Sequence, residues 1–482
     1  MKGRAHIFRS FKAIHLCLIQ KIIIQISKIT MEKNDKEKTS SKEAIVPDGG
    51  WGWMVVLASF LIHFIMDGII YSMGQTFSEP MRTKLALDRA SISTIFSILP
   101  AVTLGAGPIA TVLTNMYGCR RVAIAGLGFS LMYLPAIVSV GFYFEKKRTF
   151  AMGMAVCGSG VGTTLLSYIM NEIVNVKKWI RYENALLVEC CIIIIGLLCG
   201  YLMRPLPQEP SEQRRLERKI RKEGQQKSMS ETDAKEVDII EKSSNKSLLR
   251  QIIEQIDLSL LKNPAFTLFV ISNFFTSLGF NAIYNFADDL ANDAKVTIHH
   301  RSYIVMSIGF SNIFGRITIG FFGDQKCVNR LVFFIVALII SGVATMVAPL
   351  CGASVFLHIG YASAFGFFSG GYVTLTSIVL IDLVGINKLS DAFGVFLLFV
   401  GIGTAIGTPI VGGMRDAFAK FDRPFLWPYF IFGTCTVISG IVLFAIPVLQ
   451  RKKLNDNQIE MDGNTTTTKG DLSNEEQQEQ NV

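Results

Sequence analysis

Arg316 lies inside an apolar stretch, residues 302–322, long enough to cross a bilayer, for which about 20 residues suffice. An arginine at the centre of a spanning helix costs roughly 2.5–3.5 kcal/mol on insertion scales, so its guanidinium must face protein or a wet cavity. There it can receive an anion, because the guanidinium is planar, permanently charged and shaped for bidentate contact with a carboxylate. Asn312, one turn earlier, shares its face. Gly309, Gly315 and Gly320 offer small surfaces for close helix contact. The bland alternative is an arginine that snorkels to the interface, since Gly323-Asp324-Gln325-Lys326 marks the polar end two turns later.

Two further sets of polar residues could share that site. In a first span over 53–75, His63, Asp67 and Tyr71 recur every four residues. A charged Asp facing lipid is costly, so this stripe should turn inward, although Asp67 could equally be a structural hydrogen-bond partner. In the span 264–287, Asn273, Ser277, Asn281 and Asn285 repeat at the same spacing. They suit a wet wall, or interhelical glue worth only about 0.6 kcal/mol each. Gly370-Gly371 with Tyr372, Thr374 and Thr376 forms a similar mixed surface. Gly401, Gly403 and Gly407 before Pro409 permit close packing and a bend, as near a gate. Glu189 is a lone carboxylate within the span 185–203.

The elements that position these groups are membrane helices. The chain has 482 residues, 50% of them hydrophobic, and a mean hydropathy of +0.40, with the apolar residues in long runs. The expected class is an all-α polytopic membrane protein. The net charge of +9 sits mainly in loops, as expected of segments on the cytoplasmic side, and does not argue for nucleic acid. Nine scattered cysteines without paired spacing read as small apolar residues, neither a disulfide frame nor a metal site. No zinc, nucleotide or hydrolase motif appears, so no enzyme activity, cofactor or metal is expected. Gly158-Ser159-Gly160 reads as helix packing, not a phosphate cradle.

Residues 1–30 hold six basic residues and no acidic one, and 13–29 is too short and interrupted to span. It reads as a targeting or membrane-surface segment, or as sequence upstream of a natural start at Met31, which is the expectation. With 32–47 it forms a polar arm, expected to be disordered and cytoplasmic. The first transmembrane half then covers 48–203. The cytoplasmic linker 204–262 follows, basic over 214–227 and acidic and Ser-rich over 228–244. The second half covers 263–449, and a polar tail 450–482. Paired tryptophans, Trp51 and Trp53, suit an interfacial anchor before the first span.

One segment conflicts with the charge pattern. The apolar run 122–144 has Arg120-Arg121 before it and Lys146-Lys147-Arg148 after it. If both basic clusters are cytoplasmic, an even number of crossings must separate them, and one span cannot satisfy that. Either a crossing is missing or the segment is distorted. Five spans precede the linker and six follow it, about 11 in all. The halves echo each other: 107–121 and 315–330 both leave a Gly-containing span, make a short polar turn and reach Arg. Repeated halves around a long loop suggest a transporter with its site at the midplane.

Two motifs resemble the monocarboxylate transporter family of the major facilitator superfamily. Asp48-Gly49-Gly50-Trp51-Gly52-Trp53 is similar to the family's signature before its first span. Tyr143-Phe144, Lys146, Lys147, Arg148, Ala151, Gly153, Ala155 and Gly158-Ser159 are similar to the one before its fifth. Val328-Asn329-Arg330 and the run 381–385 also resemble it, and the likeness covers about 47–205 and 260–449. It implies two six-helix halves, with motif and gating roles for Asp48, Gly49, Trp51, Trp53, Lys147, Arg148 and Gly153. Roughly thirty residues, about one crossing with its connection, are absent between the matches to the third and fourth spans. A skipped exon or faulty gene model is the simplest explanation; a shortened isoform, which need not transport, is the other.

The resemblance also implies a small organic anion as substrate, a plasma-membrane location with both termini cytoplasmic, and a single-span ancillary glycoprotein as partner. Proton-coupled lactate members carry a lysine where Tyr71 stands and an aspartate where Asn312 stands, while Arg316 is kept. Proton–lactate symport is therefore doubtful, and another carboxylate, an amino-acid derivative or a zwitterion is open. The expected mechanism is alternating access, with substrate bound by Arg316, Asn312, Tyr71, Asp67 and Asn281. The competing classes are a non-transporting membrane scaffold and a receptor.

Overall fold

The computed structural model describes residues 46–86, 88–126, 128–176, 182–206, 209, 211–213, 216 and 258–451. Most of the linker, the arm and the tail lie outside them, and with them the two N-glycosylation acceptor patterns of the sequence, Asn245-Lys246-Ser247 and Asn464-Thr465-Thr466. The described chain is helical: α1 Gly52–Leu85, α2 Arg89–Gly105, α3 Gly107–Tyr117, α4 Cys119–Ala125, α5 Phe129–Tyr143, α6 Arg148–Val156, α7 Gly158–Asn171, α8 Tyr182–Cys199, α9 Pro264–Asp293, α10 Ile298–Gly323, α11 Arg330–Val347, α12 Val355–Val384, α13 Leu389–Ala417 and α14 Leu426–Val442. Among the described residues, ten helical segments are long and apolar enough to cross a membrane, α2–α3 and α6–α7 each forming one.

The run 122–144 is not one span. It breaks at Gly126 into the seven-residue α4 and the fifteen-residue α5. At 1.5 Å per residue these are about 10 and 22 Å long, both short of a hydrocarbon core of about 30 Å. A side chain at Gly118, before α4, would meet Ser211 and Glu209. The end of α5 lies beside the same stretch, since Tyr143 donates its hydroxyl to the Arg204 carbonyl at 2.9 Å. Both ends of the hairpin therefore lie at the linker end of the bundle. The segment enters and leaves on one side, which removes the charge conflict without a crossing.

Small residues bring the helices into contact. A Cβ on Gly158 or Gly162 of α7 would lie about 2 Å from the carbonyl oxygens of Phe60 and Phe64 on α1. The intervening Gly160 faces Gly309 and Ile313 of α10. One glycine-rich turn thus lets α7 sit between α1 of its own half and α10 of the other. The Gly-Ser-Gly sequence acts here in helix packing.

The loops at the linker end are tied by backbone capping. Asp48 accepts from the Glu145 and Lys146 amides at 2.7 and 3.0 Å. Its own amide donates to the Tyr143 carbonyl at 3.1 Å. Trp51 donates from its indole to the Leu202 carbonyl at 2.9 Å, and the Arg204 guanidinium lies 3.7 Å over its ring. Glu209 is buried against the start of α4. That burial pushes its carboxyl up to about 7.

Candidate functional site

A central cavity of about 110 Å³ lies between the halves. The first half contributes Asp67 and Tyr71 from α1, Thr103 from α2 and Tyr133 from α5. The second contributes Asn273, Ser277, Phe280 and Asn281 from α9, Arg316 from α10, Tyr372 and Thr376 from α12, and Thr404 from α13. Apolar rings and aliphatic chains fill the gaps, as in pockets that fix orientation with few polar groups.

Arg316 is 3% exposed and does not snorkel. Its Nε donates to Asn312 Oδ1 at 2.6 Å, Nη1 to the Val156 carbonyl at 2.8 Å and Nη2 to Ser159 Oγ at 3.1 Å. Guanidinium has five N–H donors, so one on each terminal nitrogen remains. Val156 and Ser159 flank the junction of α6 and α7, so the other half holds the cation. Gly153 deepens that contact: a Cβ there would lie 2.6 Å from the Arg316 carbonyl.

Asn312 does not line the cavity. It is buried behind Arg316, with its amide donating to the Gly366 carbonyl at 3.2 Å. It is therefore placed to hold the guanidinium, not to touch a solute. Asp67 lines the cavity. Tyr71 stacks on Tyr284 of the second half, with centroids 4.3 Å apart. Asn281 donates to Thr404 Oγ1 at 3.2 Å while facing the cavity.

Other polar groups fall elsewhere. His63 is buried beside Tyr133. Its Nδ1 donates to the Ser59 carbonyl at 2.7 Å, leaving Nε2 without a partner. Asn285 is not on the cavity wall, and Thr374 bonds the Gly370 carbonyl within its own helix. Glu189 is buried in α8, away from the cavity, with neither oxygen partnered. Among the described residues no cluster of His, Cys, Asp or Glu could hold a metal.

The linker end of the cavity is shut by bonds between the halves. Asp324, just past α10, accepts from the Thr149 and Phe150 amides, each at 2.9 Å. It thereby caps α6 of the opposite half. Asn115 donates to Asp391 at 2.6 Å, and Thr111 to the Ser390 carbonyl at 2.9 Å. Within the first half, Arg148 donates from Nε to the Gly141 and Phe144 carbonyls at 3.2 and 2.7 Å, closing the loop before α6. Lys147 immediately precedes that helix, Gly49 has open space around its Cα, and Trp53 packs edge-on against Phe144.

The Major Facilitator Superfamily model matches residues 269–474. Monocarboxylate transporter 12 of Rattus norvegicus is 27% identical over 447 residues, covering 84% of this chain and 87% of that protein. Monocarboxylate transporter 1 of Bos taurus is 26% identical over 440 residues, covering 83% and 85%. Over most of its length the chain is similar to monocarboxylate transporters, and its second half matches the Major Facilitator Superfamily model. The crystal structure of the human organic anion transporter MFSD10 (TETRAN) shares the fold, with a TM-score of 0.54 and 12% identity over 82% of this chain and all of that one. A monocarboxylate-type transporter of this superfamily works between two helical halves, and here the central cavity lies between them.

Sequence reasoning missed Ser159 and the Val156 carbonyl as partners of Arg316. The signal for Ser159 was its place in the second family motif, overshadowed by its glycine neighbours. A backbone carbonyl leaves no trace in residue type.

Proposed function

We propose that this transporter carries a small carboxylate-bearing solute across the plasma membrane by alternating access, with Arg316 receiving the anionic group. The observation that carries this reading is a buried arginine on the wall of the cavity between the halves, with two N–H donors unspent. The spare donors match a carboxylate in charge and in bidentate geometry. Asn312 and Ser159 hold the guanidinium, and Asp67, Tyr71 and Asn281 complete the walls. The halves rock about this point, and the linker end, with both termini, faces the cytoplasm. Tyr71 and Asn312 stand where the resemblance puts a proton-relaying lysine and aspartate, which supports transport that depends little on a proton gradient, with Asp67 the one carboxylate among the described cavity residues.

Uptake by Arg316→Ala and Arg316→Lys tests this, each normalised to abundance at the cell surface. The Ala variant should lose uptake at near-normal abundance. Lys should also be poor, because a point charge cannot reproduce the fork. Normal uptake by the Ala variant overturns the assignment.

A further inference from the structure

Resting on that reading of Arg316, we infer that the substrate carries a cationic group as well as its carboxylate, and that Asp67 receives the cation. Among the described residues lining the cavity, Asp67 and Arg316 are the charged ones, and their charges cancel. They approach the cavity from different halves, Arg316 from α10, where its Nη2 donates to the Ser159 hydroxyl, and Asp67 from α1. Two guanidinium N–H donors remain on Arg316, and an ionised carboxylate at Asp67 offers about four lone-pair sites.

A plain monocarboxylate entering this space would set two negative charges against one positive in a poorly solvated cavity, where unbalanced charge is costly. A zwitterion keeps the sum at zero and gives each end an opposite partner. The surroundings of Asp67 suit a cation. Tyr71 lies one turn along α1 and is backed by Tyr284, while Tyr133 and Phe280 flank the same wall. The faces of such rings attract ammonium and quaternary ammonium groups. Tyr71 also removes the positive charge that a lysine would bring beside Asp67. The wall that in a lactate carrier would repel a cation is here built to hold one.

The test uses matched pairs that differ only in charge: glycine betaine against 3,3-dimethylbutyrate, and the longer homologues of each with the trimethylammonium or tert-butyl group moved outward. Competition binding and uptake are measured on the full-length protein in proteoliposomes, for wild type, Asp67→Asn and Arg316→Ala. Wild type should prefer the zwitterion of at least one pair by about tenfold or more, the scale of one desolvated charge contact. Asp67→Asn should bring that ratio close to one, and Arg316→Ala should abolish both members. If no zwitterion exceeds its isostere, the inference is overturned. Loss of isostere uptake in Arg316→Ala would then leave the anion seat standing. If isostere uptake is driven by acid and Asp67→Asn removes the acid dependence, a proton balances the charge and the inference is again overturned. If Arg316→Ala keeps both members, the underlying reading fails instead.

Discussion

Asp324→Ala should open the linker end. Asp324 belongs to the second half, and the two amides it accepts, Thr149 and Phe150, belong to the first. These bonds can exist only while the halves are in contact at that end. Each is a hydrogen bond to a charged group, worth about 1.5–3 kcal/mol, and the carboxylate also sits at the positive end of α6. Asp324 is only partly buried, and the freed amides can turn to water once it is gone. The two bonds together are therefore worth about 2 kcal/mol, not the sum of their maxima. That shifts the balance between closed and open by roughly 30-fold. A single cysteine at Val373, on the cavity wall, reports the state once the nine native cysteines are replaced. An impermeant thiol reagent applied from the linker face should react about tenfold to 30-fold faster in the Ala variant. An unchanged rate would refute the latch.

Asn312→Asp should weaken substrate binding by about tenfold, because a carboxylate 2.6 Å from Arg316 Nε would neutralise the anion seat and lose the donor to the Gly366 carbonyl; substrate affinity at constant surface abundance checks it. The buried Glu209 carboxyl, raised from 4.5 to about 7, binds its proton more tightly when packed than when released. Its anchoring of the linker is thus full below 4.5 and lost as pH rises through about 7. Protection of the Leu206 amide, which donates to Glu209 at 3.3 Å, should fall between about pH 5.5 and 7.5 in wild type once the intrinsic base-catalysed rate is divided out, and stay constant in Glu209→Gln. Single cysteines at Arg120 and Lys146 should both label from the linker face; labelling from opposite faces would mean that 122–144 crosses the membrane.

Helical periodicity explains what could be read from the sequence and where reading stopped. Spacing of four marks one face only locally, because four residues turn a helix by about 400°, an advance of 40°. Over His63 to Tyr71 the drift reaches about 80°: Asp67 and Tyr71 meet the cavity while His63 turns to Tyr133. Over Asn273 to Asn285 it reaches about 120°, and Asn285 leaves the wall. Arg316 was legible because a buried cation in a span has so few acceptable surroundings. From the sequence Asn312 reads as a substrate contact because it shares a helix face with Arg316. Sharing a face does not say which of two side chains stands in front, and here the longer one does. The break at Gly126 is invisible to hydropathy, since residues 122–125 before it and α5 after it are both apolar.

The hairpin bears directly on whether a chain with this topology can keep a transport site. The missing crossing would be fatal if the absent residues lined the cavity. Here α1, α7, α9, α10, α12 and α13 supply Asp67, Ser159, Asn281, Arg316, Tyr372 and Thr404, and none depends on the hairpin. The hairpin's own contribution is Tyr133 and Ile137 from α5. The same helix is pinned at its end by Asp48 and Arg204. Those anchors hold α5 at the linker end whatever lies on the far side of Gly126. With both basic clusters on one face, every later span also keeps the direction it would have in two complete six-helix halves. The zero crossings of the hairpin and the two crossings it replaces have the same parity, and parity alone decides the orientation of Arg316.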